Sequence, residues 1–300
     1  MRPQTEKNYK QRMLRVLVHI QQHLDEALSL EELAGIAHFS PYHFHRIFQG
    51  MVGESLMAHV RRLRLERAAL RLKHSDQPVT RLAFEAGYET HEAFARAFRA
   101  MFGESPSGFR EIHQPLPMPE VASGVHYAPD GGPADFTTPM GERTVEASIK
   151  KIDEMKVAFI RHVGPYNEVG PTWEKLCKWA GPRRLIGWRP KLLGLCHDDP
   201  SVTPPDKLRY DACLVVKKDI EPEGEVGVQA IAGGDYAVAI HRGPYERLGE
   251  TYAALCGQWI PGRGREISSA PSFEIYKNNP QHTKPEKLVT EIYVPLEPQS

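Results

Sequence analysis

The carboxyl-terminal half of the chain is rich in aromatic residues: Tyr166, Trp173, Trp179, Trp188, Tyr245, Tyr252, Phe273, Tyr276 and Tyr293. Two acids, Glu274 and Glu291, alternate there with apolar residues in segments that read as strands. A carboxylate enclosed by aromatic rings suits an amphipathic cation, through charge pairing and the attraction of a cation to ring faces. Strand alternation puts Glu291 and Tyr293 on one face of the last strand, with Ile292 and Val294 on the other. The expected ligand-binding set is therefore Tyr166, Trp173, Tyr245, Tyr252, Glu274, Tyr276, Glu291 and Tyr293. The tyrosines of the two Gly-Pro-Tyr turns serve equally well as structural pins. Glu291 beside Trp173 or Tyr252 could activate a water if its pKa were raised. The sequence nevertheless contains no GxSxG, HExxH, P-loop or strand-linked GxGxxG motif, so no catalytic residue is assigned. Cys177, Cys196, Cys213 and Cys256 form no CxxC pair, which argues against a zinc site and for a reducing cytosol. No metal and no cofactor is expected.

These residues lie on a duplicated framework. HVGPYNEVGPTWEKLCKW aligns with HRGPYERLGETYAALCGQW, pairing His162 with His241, Tyr166 with Tyr245 and Cys177 with Cys256. Further on, Pro200 pairs with Pro280, Pro205 with Pro285 and Leu208 with Leu288. Each unit reads as strand, Gly-Pro-Tyr turn, helix, strand, turn, strand. Two such units predict a pseudo-symmetric α+β domain over 144–300 with a groove at their junction.

The amino-terminal half is helical and also repeats. Leu30, Leu33, Ala34 and Ala37 follow the spacing of a one-sided helix, as do Val79, Leu82, Ala83 and Ala86. Each segment runs into a turn, His38-Phe39 or Gly87-Tyr88, and then into a second helix capped by Ser40 or Thr90. Phe44, Arg46, Phe48, Met51 and Gly53 recur as Phe94, Arg96, Phe98, Met101 and Gly103. The pattern predicts two helix–turn–helix units over 1–113. The helix between them, Leu56 to Lys73, carries Arg61, Arg62, Arg64, Arg67, Arg71 and Lys73 against Glu66, and is expected to add phosphate contacts. On the second helix of each unit, Phe44, Ile47 and Phe48, or Phe94 and Phe98, form the core face. Tyr42, His43, His45, Arg46 and Gln49, or His91, Glu92 and Arg96, point away from it. Arginine pairs bidentately with guanine, histidine and glutamine bond base edges, and Glu92 can accept from a cytosine amino group.

The chain has 300 residues, with 38 Lys+Arg balanced by 38 Asp+Glu and 41% hydrophobic residues, which describes an ordinary globular protein of two domains. No apolar run approaches the roughly 20 residues of a membrane span, and the start shows no apolar signal region. A membrane partner is not expected. Residues 114–143 are rich in Pro, Gly and small residues and read as a linker.

LSLEELAGIAHFSPYHFHRIFQGMVGESL and PVTRLAFEAGYETHEAFARAFRAMFGESPSGFR together resemble the AraC/XylS-type DNA-binding domain across both units and the linking helix. Gly87-Tyr88, Phe98 and the closing Pro106-Ser107-Gly108-Phe109-Arg110 satisfy that family's second unit. The two GPY turns with FEIYKNNP and TEIYVPL resemble the GyrI-like effector-binding domain over roughly 145–297. An AraC-type domain followed by a GyrI-like domain is the arrangement of Rob-like regulators. The resemblance implies a cytoplasmic transcription regulator that binds double-stranded DNA and a small-molecule effector, with RNA polymerase as a further contact. Tyr42, His45, Arg46, Gln49, His91, Glu92 and Arg96 are then the expected DNA-binding residues. Some stand-alone GyrI-like relatives are hydrolases of reactive small molecules, so a hydrolase fused to a DNA-binding domain is the alternative.

Overall fold

The computed structural model describes residues 2–112, 118–139, 145–187, 190–200, 202–278 and 280–299, which leaves Trp188 outside. The residues gather into two compact units. One comprises Met1–Asn8, Phe39–Gly50 and Gly141–Ser300; the other comprises Tyr9–His38 and Met51–Met140. The helical part follows the order expected from the repeats: α1 (Arg2–Gln22), α2 (Leu30–Ala37), α3 (Pro41–Val52), α4 (Leu56–His74), α5 (Val79–Glu85), α6 (His91–Phe102) and α7 (Pro106–Glu111).

Capping explains where these helices begin. The hydroxyls of Ser29, Ser55, Thr90 and Ser105 each accept from the backbone N–H three residues on, satisfying one of the donors a helix start leaves open. The turn of the first unit closes on His38 at φ 50° and that of the second on Gly87 at φ 82°, both left-handed. Leu82, Ala83, Phe94, Phe98, Phe102 and Phe109 pack with Leu65 and Leu72 of α4 into one buried cluster. Tyr88 meets Phe94 edge-on at 5.6 Å.

The arginines of α4 differ from the expected phosphate-contacting stripe. Arg62 is buried and binds Glu54 at 2.6 Å and Glu66 at 2.7 Å. Arg67 binds Asp25 at 2.6 Å, Arg71 binds Glu85, and the Arg64 Nε donates to the Leu24 carbonyl at 2.8 Å. Arginine forks satisfied by carboxylates and carbonyls hold helices together and have few donors left for a phosphate. Arg61 alone of the five is exposed.

Residues 118–139 form no helix or strand, as their composition predicts, yet they are packed. Val125 and Phe136 are buried. Buried Glu66 accepts from the Tyr127 N–H at 2.7 Å, and Gln21 exchanges two 2.8 Å bonds with the backbone of His126 and Ala128.

The carboxyl-terminal part is an antiparallel eight-stranded sheet: β1 (Ala147–Ile152), β2 (Met155–Val163), β3 (Leu192–Cys196), β4 (Arg209–Val215), β5 (Gly227–Ile231), β6 (Gly234–Arg242), β7 (Phe273–Tyr276) and β8 (Val289–Pro295). The strands lie in the order β1-β6-β8-β7-β3-β4-β2-β5. A pseudo-twofold axis therefore passes between β3 and β7, relating β2, β3 and β4 to β6, β7 and β8. The outermost strands are exchanged: β1 precedes β2 in the chain but pairs with β6, while β5 precedes β6 but pairs with β2. The two short connections cross where a Cβ on Gly233 would come within 2.8 Å of the Glu154 nitrogen, so that position must be glycine.

One face of the sheet buries Val157, Leu193, Leu195, Cys213, Val238, Phe273 and Tyr293. The other carries α8 (Gly170–Ala180) and α9 (Leu248–Ala254), one from each repeat. Leu176 and Ala180 of α8 pack on Ala158, Ile160, Ala212 and Leu214. Helix α9 runs through a π-helical turn at Leu255–Trp259 into α10 (Ile260–Gly262). The two Gly-Pro-Tyr turns are tied alike. His162 Nε2 lies 3.1 Å from the Pro165 carbonyl and His241 Nε2 lies 3.1 Å from the Pro244 carbonyl. The repeated histidines are thus structural. The helical region followed by a two-repeat α+β region is the fold class expected from the sequence.

Candidate functional site: an aromatic groove around Glu274

The site is built where the two repeats meet. Glu274 of β7 pairs directly across the pseudo-axis with Gly194 of β3. Its side chain, on the helix-bearing face, is 4% exposed. The hydroxyl of Tyr276 donates to one carboxylate oxygen at 2.8 Å and that of Tyr252 to the other at 3.0 Å. Tyr210 hydroxyl lies 3.0 Å from that of Tyr276, extending the network. Burial and the neighbouring Glu274 both push the Tyr252 and Tyr276 phenols well above their ordinary range, so they remain donors. Cys196, its sulfur 3.5 Å from Glu274, is likewise pushed up by burial and by that carboxylate, and stays a thiol.

Rings from both repeats enclose this carboxylate. Trp173 of α8 stands 6.3 Å from Tyr276 and 6.4 Å from Tyr210, both edge-on. Tyr166 is 5.6 Å from Tyr210, and Tyr245 is 5.6 Å from Tyr276. The hydroxyl of Tyr166 also donates to the Asp198 carbonyl at 2.8 Å, so this tyrosine pins its turn while its ring meets Tyr210. The arrangement can hold a cation over ring faces beside a buried negative charge.

Six of the eight expected ligand residues are thus brought together: Tyr166, Trp173, Tyr245, Tyr252, Glu274 and Tyr276. Glu291 and Tyr293 are not. The register pairs Ile275 with Glu291 and Phe273 with Tyr293, which places both on the opposite face of the sheet from Glu274. Tyr293 stacks on Phe273 at 4.6 Å within the core. Glu291 accepts from the Tyr293 hydroxyl at 2.9 Å, and Lys277 and Lys150 approach it at 3.5 and 3.9 Å. Trp179, also outside the cluster, donates to Glu223 at 3.0 Å.

Tyr210, Cys196 and Gly194 were missed by reading the sequence for chemistry. The repeat itself holds the signal, because the spacing that pairs Leu208 with Leu288 pairs Gly194 with Glu274 and Cys196 with Tyr276. A Cβ at Gly194 would lie 2.6 Å from Tyr210 ring atoms, so glycine there makes room for the tyrosine.

The expected DNA-binding residues fall into two groups. His91, Glu92 and Arg96 on α6 are exposed, pointing away from buried Phe94 and Phe98. On α3, Tyr42 is exposed at 38% and Gln49 half-buried, but His45 and Arg46 are only 1% and 7% exposed. Arg46 Nη1 donates to the Ser272 hydroxyl at 2.6 Å, its Nε lies 3.8 Å from Asp199, and its guanidinium carbon sits 3.7 Å from the centre of the Tyr252 ring. His43 Nε2 lies 2.9 Å from the Ala270 carbonyl oxygen.

Residues 146–297 match the family of the GyrI-like small molecule binding domain. The chain belongs to the GyrI-like family. Residues 33–112 match a helix-turn-helix domain, and the two joined are the make-up of a DNA-binding transcription regulator with a ligand-binding domain. This GyrI-like chain is 29% identical over 163 residues to the probable transcriptional regulator YgiV of Escherichia coli K12, covering 52% of this chain and 99% of that one. It is 35% identical to the HTH-type transcriptional regulator YbfP of Bacillus subtilis over 34% of this chain and 35% of that one. The right origin-binding protein of Escherichia coli K12 is 30% identical over 37% of this chain and 41% of its own. The chain thus spans well under half the length of these last two relatives. Among solved structures, the EcmrR C-terminal domain superposes with a TM-score of 0.43 at 22% identity, over 52% of this chain and all of that one. A structure described as a hydrolase from Listeria innocua gives 0.41 at 15% identity, over 51% of this chain and 92% of that one. No helix among the described residues is long and apolar enough to cross a membrane.

Proposed function

We propose that this GyrI-like protein is a cytoplasmic regulator that reads DNA with α3 and α6 and senses an amphipathic cation in the groove around Glu274. The carrying observation is the buried Glu274 carboxylate held by the Tyr252 and Tyr276 hydroxyls within a ring of aromatic side chains. A buried carboxylate with aromatic walls favours a cation over a neutral or anionic molecule of the same shape. Arg96 and His91, exposed on α6, supply the donors that base edges accept, and Glu92 an acceptor. Tyr42, His45, Arg46 and Gln49 supply the corresponding face of α3. The regulators named among the relatives support this reading of the whole chain, and RNA polymerase is the natural second contact of such a regulator.

Sensing fits the geometry better than hydrolysis. Both oxygens of Glu274 are occupied by tyrosine donors, which leaves it poorly placed to take a proton from water. Cys196, the nearest thiol, is held protonated by its surroundings. Titration calorimetry of the full chain with benzamidinium and its near-isosteric neutral partner, benzamide, tests the reading. Glu274→Gln should weaken the cation about tenfold and leave the neutral compound unchanged, since charge-assisted bonds exceed neutral ones by roughly 1 kcal/mol or more. Equal loss for both compounds would make Glu274 a folding residue and refute the reading.

A further inference from the structure

Helices α3 and α6 are copies of one element, yet their polar faces meet different surroundings. Arg96 is exposed, whereas its counterpart Arg46 is enclosed in the same compact unit as the sheet, α8 and α9. Arg46 lies over the ring of Tyr252, whose hydroxyl bonds Glu274, and it is completed by Ser272 and Asp199. An aromatic face, a hydroxyl acceptor and a nearby carboxylate are what a planar, hydrogen-bonding cation requires. The guanidinium therefore stands where an effector's charged group belongs.

The approach of α3 depends on one small residue. A Cβ on Gly50 would collide with the Ala253 carbonyl oxygen and lie 2.9 Å from Gly257 Cα, where α9 passes into its π-helical turn. Gln258 Nε2 donates to the Gly50 carbonyl at 2.9 Å, closing the contact. The equivalent residue of α6 is Ala100, so a helix of this kind accepts alanine there without loss of its own stability.

The docked helix also carries an uncompensated cost. His45 is buried and neither of its ring nitrogens has a hydrogen-bond partner among the described residues; the Nδ1 of His43 is in the same position. Buried polar groups without partners destabilise the state that buries them. The second helix carries Ala93 and Ala95 at these places. A face of histidines and an arginine is poorly suited to permanent burial and well suited to a base edge.

We propose that Arg46 is a built-in occupant of the effector groove, so that the DNA-reading face of α3 and a guanidinium- or amidinium-type effector exclude each other. The proposal rests on the cation-sensing reading of the groove. Effector binding expels α3 and frees Arg46 and His45 for DNA. By linkage, DNA that captures α3 vacates the groove and tightens effector binding by the same factor. The groove's specificity follows from its internal occupant, favouring a flat cation that can donate to Ser272 while covering Tyr252.

The full-length parent and Gly50→Ala are compared with benzamidinium as probe, using calorimetry for affinity and amide hydrogen exchange of residues 41–52 for docking, with residues 91–102 as internal reference. Gly50→Ala should speed exchange in 41–52 but not in 91–102, and should bind benzamidinium at least tenfold more tightly than the parent. Saturating benzamidinium should produce the same faster exchange in the parent. It should also raise the parent's affinity for a duplex selected from a random pool by Gly50→Ala. Equal benzamidinium affinity in the two proteins, or exchange in 41–52 unmoved by saturating probe, overturns the proposal. Faster exchange in Gly50→Ala with no benzamidinium binding refutes the cation-sensing reading beneath it, and competition with it.

Discussion

Acidification should loosen α3 from the sheet unit, and the size of the effect can be worked from His43. Its Nε2 faces the Ala270 carbonyl, its Nδ1 faces no acceptor, and Arg46 lies close by. Burial foremost, and then the arginine's charge, lower its pKa from 6.5 to about 4. Released, the imidazole regains its ordinary value. The docked state therefore binds fewer protons, so docking is at full strength above pH 6.5 and weakens as the pH falls toward about 4. At pH 5.5 the released form is protonated about ten to one while the docked form is almost wholly neutral, a shift of roughly 1.4 kcal/mol or about tenfold. His45, lowered chiefly by burial, acts in the same direction, although Asp199 partly offsets it. Amide exchange of 41–52, normalised to 91–102 to remove the intrinsic pH dependence, should become about tenfold faster between pH 7.5 and 5.5. His43→Gln, which keeps a donor for Ala270, should flatten that response. A pH-independent ratio in the parent would refute the reasoning.

Arg96→Ala should weaken binding to a selected duplex by roughly 1–3 kcal/mol and relax discrimination at one base position, with thermal stability unchanged because the side chain is exposed; competition binding against single-base variants measures it. Asp211 is buried and holds Arg161 at 2.7 Å, His197 at 2.8 Å and Gln229 at 3.1 Å, which bring its pKa to about 2 despite burial. Its contribution, about 2 kcal/mol, should be present above pH 3.8 and disappear as the pH falls toward 2, and acid denaturation of Asp211→Asn should lack that component. Glu66→Ala leaves the Tyr127 N–H and one arm of Arg62 without an acceptor while Arg62 keeps Glu54, so it should cost roughly 1–3 kcal/mol and speed proteolysis within 118–139 relative to the parent.

The repeats were legible because each recurs at nearly constant spacing, and the cap at Thr90 because it is local. The opposite faces of Glu274 and Glu291 were not. Alternation says which residues of one strand share a face, but only the pairing of Ile275 with Glu291 aligns β7 with β8. The α4 arginines hid for a related reason: Asp25, Glu54 and Glu85 lie outside the helix they neutralise. Arg46 was the hardest to place. Helical periodicity puts it on a polar face, yet Ser272 and Tyr252, its neighbours in space, are more than two hundred residues away in the chain.

The exchange of β1 and β5 between repeats bears on how such a groove can arise. A lone repeat would lack its outer strand and would complete itself by trading that strand with a second copy, as swapped dimers do. In a symmetric pair, the residues facing one another across the axis are identical, so an acid there must face an acid. Two carboxylates at the paired positions of β3 and β7 could not both ionise cheaply. One chain carrying both copies escapes that constraint. Gly194 opposite Glu274 is the asymmetry that covalent joining permits: a single negative charge on the pseudo-axis, with the space across from it given to Tyr210.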